Sequence, residues 1–273
     1  MSSPVIKHGE VISQDMRSTI STRYHTVTRA VNREFWSTQS DTQNSLYVGS
    51  YGRGTAINTS DLDILVELPQ NDYSSYNVMK GNGQSRLLQA VRSSILTAYP
   101  RSDVRADGQV VKISFSDGMK FEILPAFRKP DWLGQWDGTY TYPDTNMGGN
   151  WLSTNPKVEQ MAMRQKNISS NGLLYDTCKH FRQVRDNQYS SYHLSGIVID
   201  SFVYAAMGNW KWISDGEVSA ASGDYERALC YYLYQRTQYL SYSLPLTAPG
   251  SNQQIDTESS LECLKKVLNY MSD

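Results

Sequence analysis

Gly49-Ser50, Asp61, Asp63 and Glu122 are the residues whose types and spacing could do chemistry in this chain. Asp61 and Asp63 lie in DLDILVELP, where Leu62, Ile64, Val66 and Leu68 alternate as the apolar face of a strand. Side chains two apart on a strand share a face, so both carboxylates leave opposite those four, on the side of Leu65 and Glu67. Two neighbouring anions repel unless a cation sits between them, and carboxylate oxygens of this kind suit Mg²⁺. Gly49-Ser50 follows a short strand, Leu46-Tyr47-Val48, and stands a ten-residue gap before Asp61. It offers backbone N–H groups and a hydroxyl to phosphate oxygens. Singly, each feature has an ordinary explanation: Gly-Ser is a common turn, and Asp61 could bond its own loop. A mid-strand Asp such as Asp63 is disfavoured, and the joint pattern points to a metal site beside a phosphate cradle.

A third acid extends the pattern. In MKFEILPAF, Phe121 and Ile123 face one side while Lys120, Glu122 and Leu124 face the other. If this strand neighbours the Asp61–Asp63 strand, the three carboxylates converge on one point, since adjacent strands lie about 4.8 Å apart. Glu122 would then complete a catalytic metal site, and two ions clamping the attacking and leaving oxygens would serve a displacement at phosphorus. The ordinary alternative is an exposed strand Glu. Glu67 shares the face of Asp63 but lies near Pro69, away from Gly49-Ser50, and is expected to be peripheral.

The elements that must hold these residues follow from periodicity. Ile12, Met16, Ile20, Val27, Val31 and Phe35 predict an amphipathic helix over about 10–37. A second helix is expected over about 85–99, with Leu87, Leu88, Val91 and Ile95 inward and Pro100 at its end. Val110–Phe115 and Met119–Phe127 read as a hairpin across Asp117-Gly118, with Pro125 closing the return strand or marking an edge. Arg128–Thr154, rich in Gly, Trp, Tyr and Asp, reads as a long irregular connection in which Trp132, Trp136 and Trp151 either line the site or pack. Beyond Asn155-Pro156, helices are expected over about 156–168, 171–187, 192–208, 223–241 and 259–271. The order predicts an α+β mixed-sheet core over 1–150 and a helical domain over 151–273, with the active site in the cleft between them.

Composition narrows the function. The formal net charge is -1, without the basic excess that constant binding to duplex nucleic acid needs. Cys178, Cys230 and Cys263 are odd in number, widely spaced and without a zinc pattern, which predicts buried free thiols. No signal peptide and no transmembrane run is visible, so a cytoplasmic protein without a membrane partner is expected. His25, His180 and His193 share no metal spacing. Arg53 and Lys112 could touch phosphate or be solvated. Tyr231, Tyr232 and Tyr234 suit a core or an interface better than a binding box.

Gly-Ser, a short gap, Asp-x-Asp and a later strand acid resemble the signature of the DNA polymerase beta-like nucleotidyltransferase superfamily. Within it, GSYGRGTAINTSDLDILVELP and the FEILPAF strand resemble the bacterial cyclic-oligonucleotide synthases, relatives of animal cyclic GMP-AMP synthase and oligoadenylate synthase. Many relatives carry Asp where this chain has Glu122. The Lys179-bearing helix followed by Ser190-Ser191-Tyr192-His193-Leu194 is similar to a Ser-Tyr-His-Val stretch of animal cyclic GMP-AMP synthase. The resemblance implies that Asp61, Asp63 and Glu122 hold two Mg²⁺ ions, with Mn²⁺ a possible substitute. It implies that Gly49, Ser50, Lys179 and Ser191 hold a donor triphosphate, and that Tyr192 stacks on its base. Ser191 is also a plausible helix N-cap. The implied activity is the joining of nucleoside triphosphates into a cyclic di- or trinucleotide second messenger, in anti-phage signalling. A nucleotidyltransferase acting on an antibiotic or an RNA end, and a non-enzymatic nucleotide-binding module, are the competing classes. Three retained acids disfavour the last.

Overall fold

The computed structural model describes residues 3–214, 216, 220–238 and 243–272. The chain is α+β and divides into two units. One comprises Ile12–Gly52 and Thr59–Pro156; the other comprises Met1–Val11, Arg53–Asn58 and Lys157–Asp273.

The first unit opens with α1 (Gln14–Phe35), started by Ser13, whose side chain accepts the Met16 N–H. The helix begins later than the apolar pattern alone suggests, because the cap and not Ile12 sets the first turn. β1 (Ser45–Tyr47) leads into α2, a single helical turn over Gly49–Gly52, and β2 (Leu62–Glu67) follows. After α3 (Gln70–Asn77) comes α4 (Gly83–Ala98), capped by Asn82. β3 (Asp103–Asp107), β4 (Val110–Ser114) and β5 (Lys120–Pro130) then form a meander. β6 (Trp136–Asp144) and β7 (Asn150–Thr154) complete the sheet. The order is β1-β2-β5-β4-β3, with β6 pairing β5 and β7. β2 and β5 run parallel and the other neighbours antiparallel.

Leu62, Ile64, Val66 and Leu68 of the β2 segment pack with Phe121 and Ile123 of β5 against Val27 and Val31 of α1 and Leu87, Val91 and Ile95 of α4. Each such buried side chain is worth about 1.5–3 kcal/mol. A one-residue slip of β2 would turn that whole set outward, so the core locks the register that orients the acids.

The structure corrects two expectations here. Arg128–Thr154 is not an irregular connection but the end of β5, then β6 and β7. Trp136, Tyr140 and Tyr142 do alternate on β6, but Gly138 and Pro143 among them break the strand signal. Trp136 packs on Tyr140 and Trp151 on Tyr73, both as packing residues, while Trp132 is exposed. Pro125 does not close its strand; it lies inside β5, opposite Val66, where the strand's other side is locally an edge. Ala126 presents its carbonyl to Leu68 on the β2 side, so Pro125 faces the other way. There β4 pairing ends at Ile123 and β6 pairing begins at Phe127, so the absent N–H disrupts no ladder bond.

The second unit contains α5 (Pro156–Ser169), α6 (Leu173–Gln188), α7 (Gly196–Ala206), α8 (Asp224–Thr237) and α9 (Leu261–Ser272), with a short hairpin, β8 (Leu246–Thr247) and β9 (Gln254–Ile255). Residues 239–241 of the expected 223–241 helix lie outside the described residues. Leu174, Phe181, Val198, Phe202, Leu229 and Leu264 centre the core. Cys178 and Cys263 are buried and all three cysteines are free. Among the described residues no helix is long and apolar enough to cross a membrane.

Candidate active site

β2 and β5 bring two of the acids together. Their parallel register sets Asp63 beside Glu122, with Leu62 beside Phe121 and Ile64 beside Ile123. Both acids are half-buried, and Asp61, one residue before β2, is exposed. The face they share is not uniform. Further along, Leu65 is buried with Val48, Ala126 and Tyr140, and Glu67 is covered too. Glu67 binds Arg128 Nε at 2.8 Å and accepts from the Tyr140 hydroxyl at 3.3 Å. Strand parity alone puts Glu67 with the other acids, but the β6 layer closes over that end and makes it structural.

The turn Gly49–Gly52 packs directly on Asp63. Gly49 has φ of 58°, and a Cβ built on it would overlap Asp63 Oδ2. Only glycine therefore permits this approach. The Val48 N–H donates to the Asp63 carbonyl at 2.9 Å, and the Gly52 N–H to the Val48 carbonyl at 2.9 Å. Ser50 is buried within the turn. Beneath it Tyr24 stacks on Tyr47 at 4.1 Å between ring centres, and Tyr47 meets Tyr51 at 4.8 Å. Burial, then the neighbouring Tyr51 and Tyr24, pushes the Tyr47 phenol well up, so it stays neutral and acts as packing. The Tyr47 and Tyr51 pair flanking Gly49-Ser50 was a signal in the sequence that a strand-and-turn reading passed over.

On the other side, Lys112 of β4 stands across from Glu122, its Nζ 3.4 Å from Glu122 and 2.8 Å from Asp107. The hydrogen bond to Asp107, outweighing partial burial and helped by Glu122, raises the Lys112 pKa. Lys112 is thus neither a free phosphate contact nor merely solvated. A pocket of about 470 Å³ is lined by Asp61, Glu122, Lys112, Arg105 and Lys120, among others. The three acids do not converge on one point: among the described residues no group of three His, Cys, Asp or Glu stands ready to hold a metal ion. Asp63 is turned to Gly49 and Glu122 to Lys112. The donor set nonetheless fits a hard cation, with two carboxylates on adjacent strands and a third bordering the pocket of Glu122.

In the helical unit, Lys179 of α6 is half-buried and donates to the Gly9 carbonyl at 2.9 Å. Burial lowers its pKa against the opposing pull of Asp176. Ser191 is not an N-cap. Ser195 caps α7, its side chain accepting the Val198 N–H, and Ser191 lies exposed in the preceding turn. Either serine suits the cap by type, but the buried run of the helix itself starts only at Val198. Tyr192 is exposed, with Lys266 Nζ 4.6 Å above its ring. Tyr232 packs on Phe202, whereas Tyr231 and Tyr234 are exposed. Arg53 is not exposed; it is buried against Asp200 and Glu159. An Asp within the apolar run GIVIDSFV was the sequence signal for that partner, since such a residue is rarely buried unpaired.

Residues 9–167 match the family model of the Second Messenger Oligonucleotide or Dinucleotide Synthetase domain. No curated protein sequence matches the chain. Among similar solved structures is the CdnE c-UMP-AMP synthase of Rhodothermus marinus with Apcpp and Upnpp, at 16% identity and TM-score 0.61 over 94% of this chain and 91% of that one. Another is the CdnE cyclic dinucleotide synthase of Elizabethkingia meningoseptica with GTP and Apcpp, at 13% identity and TM-score 0.59 over 98% of this chain and 93% of that one. A third is CdnG of Bradyrhizobium diazoefficiens in complex with GTP, at 11% identity and TM-score 0.58 over 94% of this chain and 83% of that one. At these identities the likeness is one of fold.

Proposed function

The chain belongs to the second messenger oligonucleotide or dinucleotide synthetase family, a family of nucleotidyltransferases, and on that premise we propose that it joins nucleoside triphosphates into a cyclic di- or trinucleotide with release of pyrophosphate. The observation that carries the reading is the pairing of Asp63 with Glu122 on parallel strands, with the Gly49–Gly52 turn packed on Asp63.

Asp61, Asp63 and Glu122 are the residues that would hold divalent metal, as two Mg²⁺ ions. Bound there, they would neutralise the charge that builds as pyrophosphate leaves. Gly49 and Ser50 orient the donor phosphates through backbone N–H groups and a hydroxyl. The acceptor hydroxyl forms its bond to the α-phosphorus as the bond to pyrophosphate breaks, and its proton passes to Glu122, the best-placed carboxylate base. Lys179 and Ser191 serve the donor triphosphate, and Tyr192 offers a face to its base. Most of the rate then comes from positioning and charge stabilisation. The product acts in the cytoplasm as an anti-phage signal.

The test is pyrophosphate release from the four ribonucleoside triphosphates with Mg²⁺, with and without a chelator. The Asp61→Asn, Asp63→Asn double variant should fold and release none. Undiminished release by that variant would remove the site assignment.

A further inference from the structure

The link between the Gly49–Gly52 turn and Asp61 carries no group with a part in the reaction described above, yet its 53–57 stretch is largely buried. Thr55 is fully buried, Ala56 and Ile57 nearly so, and Arg53 is 8% exposed. This link, Arg53–Asn58, belongs to the helical unit. Arg53 Nε donates to Asp200 Oδ2 at 2.8 Å, and Thr55 Oγ1 donates to the same oxygen at 3.0 Å. Arg53 also reaches Glu159 at 3.5 Å, and Glu159 accepts from the Ser251 hydroxyl at 3.2 Å. The second Asp200 oxygen accepts from Arg182 at 2.7 Å, and Arg182 is itself fixed by the Cys178 and Gly196 carbonyls. Gly54 has φ of 78°, and a Cβ there would come within 2.7 Å of the Tyr175 ring.

Asp200 therefore has no exposure and three donors from two directions. Burial pushes its carboxyl up, but the Arg182 and Arg53 guanidiniums outweigh it and hold the group below the usual carboxylate range. Buried ion pairs are seldom better for stability than apolar packing of the same volume. What they supply is direction: each donor must meet one oxygen at one angle. The link so directed ends on the nucleotide turn on one side and on the Asp-x-Asp strand on the other.

We propose that Asp200 is a positioning residue, which by holding Arg53 and Thr55 sets the span and direction of the 53–58 link and hence the placing of the Gly49–Gly52 turn against Asp61 and Asp63. The inference rests on the reading of those residues as the reaction site. It predicts a defect in turnover rather than in substrate affinity, because misplacing reacting groups by about 1 Å costs as much as 100-fold in rate.

Thr55→Val keeps the shape and removes the hydroxyl, Thr55→Ser returns it, and Arg53→Lys keeps the charge without the Nε bond. Each full-length variant is compared for kcat and KM in pyrophosphate release and for hydrogen exchange at the Val48 and Gly52 amides. Thr55→Val should lower kcat roughly 10-fold with KM within about 3-fold, and speed exchange at both amides while α9 is unchanged. Thr55→Ser should restore both, and Arg53→Lys should behave as Thr55→Val. Folded Thr55→Val and Arg53→Lys variants with wild-type kcat and wild-type exchange at Val48 and Gly52 would overturn the proposal. A wild-type chain that turns over no triphosphate would refute the site reading instead, and exchange at the two amides would still decide the positioning role.

Discussion

Gly49→Ala puts one methyl group where the turn and Asp63 meet, and its two effects separate. Gly49 has φ of 58°, a conformation that costs an alanine roughly 1–2 kcal/mol. For a chain of this size that strain alone corresponds to a melting temperature lower by about 2–8 °C. The second effect is local. The added Cβ overlaps Asp63 Oδ2, so the carboxylate or the turn must move by about the width of a methyl group. A displacement of that order at the reacting centre should lower kcat roughly 100-fold. Gly118→Ala is the control: Gly118 has φ of 87° and nothing within 4 Å of its added Cβ. It should show the same stability cost with kcat within about 2-fold of wild type. Thermal melting and initial rates of pyrophosphate release measure both effects on the same preparations. If Gly49→Ala keeps more than half of the wild-type kcat, Asp63 does not work from the position described, and the reasoning fails.

Four further variants test other parts of the structure. Glu122→Gln should lower kcat by about 100-fold or more through loss of a ligand charge and a base. Glu67→Gln should cost about 1–2 kcal/mol of stability through the Arg128 and Tyr140 contacts while kcat stays within about 3-fold; equal kcat losses in the two variants would contradict the split of this strand face. Tyr192→Ala should weaken triphosphate binding by one to two decades, the worth of about 1–3 kcal/mol of base stacking, and unchanged affinity by calorimetry would remove Tyr192 from the site. In the N-terminal segment, His8 Nε2 lies 3.1 Å from His180 Nδ1, and burial, aided at His8 by the neighbouring His180, lowers both pKa values. The unfolded chain then takes up protons first as pH falls below about 6.5. Stability should be full above that pH and decline as pH drops toward the lower folded values, and His180→Asn should flatten the decline in thermal melts between about pH 7 and pH 5.

Periodicity exposed the elements that hold the acids because those elements are two-faced. Leu62, Ile64 and Val66 alternate with Asp61, Asp63 and Leu65, and α1 and α4 carry apolar stripes, so their inner faces are legible in one dimension. β3 was invisible because Val104 is its one buried side chain among polar neighbours, as suits a sheet edge. β6 was hidden by Gly138 and Pro143. Glu67 shows the limit of parity: it fixes the face of a strand but not what covers it, and β6 covers only the far end. Arg53 shows a second limit, for its partner Asp200 lies 147 residues away and no local pattern joins them. The start of α7 was misplaced because Ser191 and Ser195 are equally good caps by type, and only the burial of the following run chooses between them.

The central claim is that this chain makes a cyclic oligonucleotide from nucleoside triphosphates alone at a site built on Asp61, Asp63 and Glu122. The most direct measurement is mass spectrometry of the products after incubation with all four ribonucleoside triphosphates and Mg²⁺, with no other acceptor added. The account predicts a cyclic di- or trinucleotide together with pyrophosphate from the wild-type chain, and neither from the Asp61→Asn, Asp63→Asn variant. Linear products only, transfer that requires an added acceptor, or the same cyclic product from the double variant would contradict it.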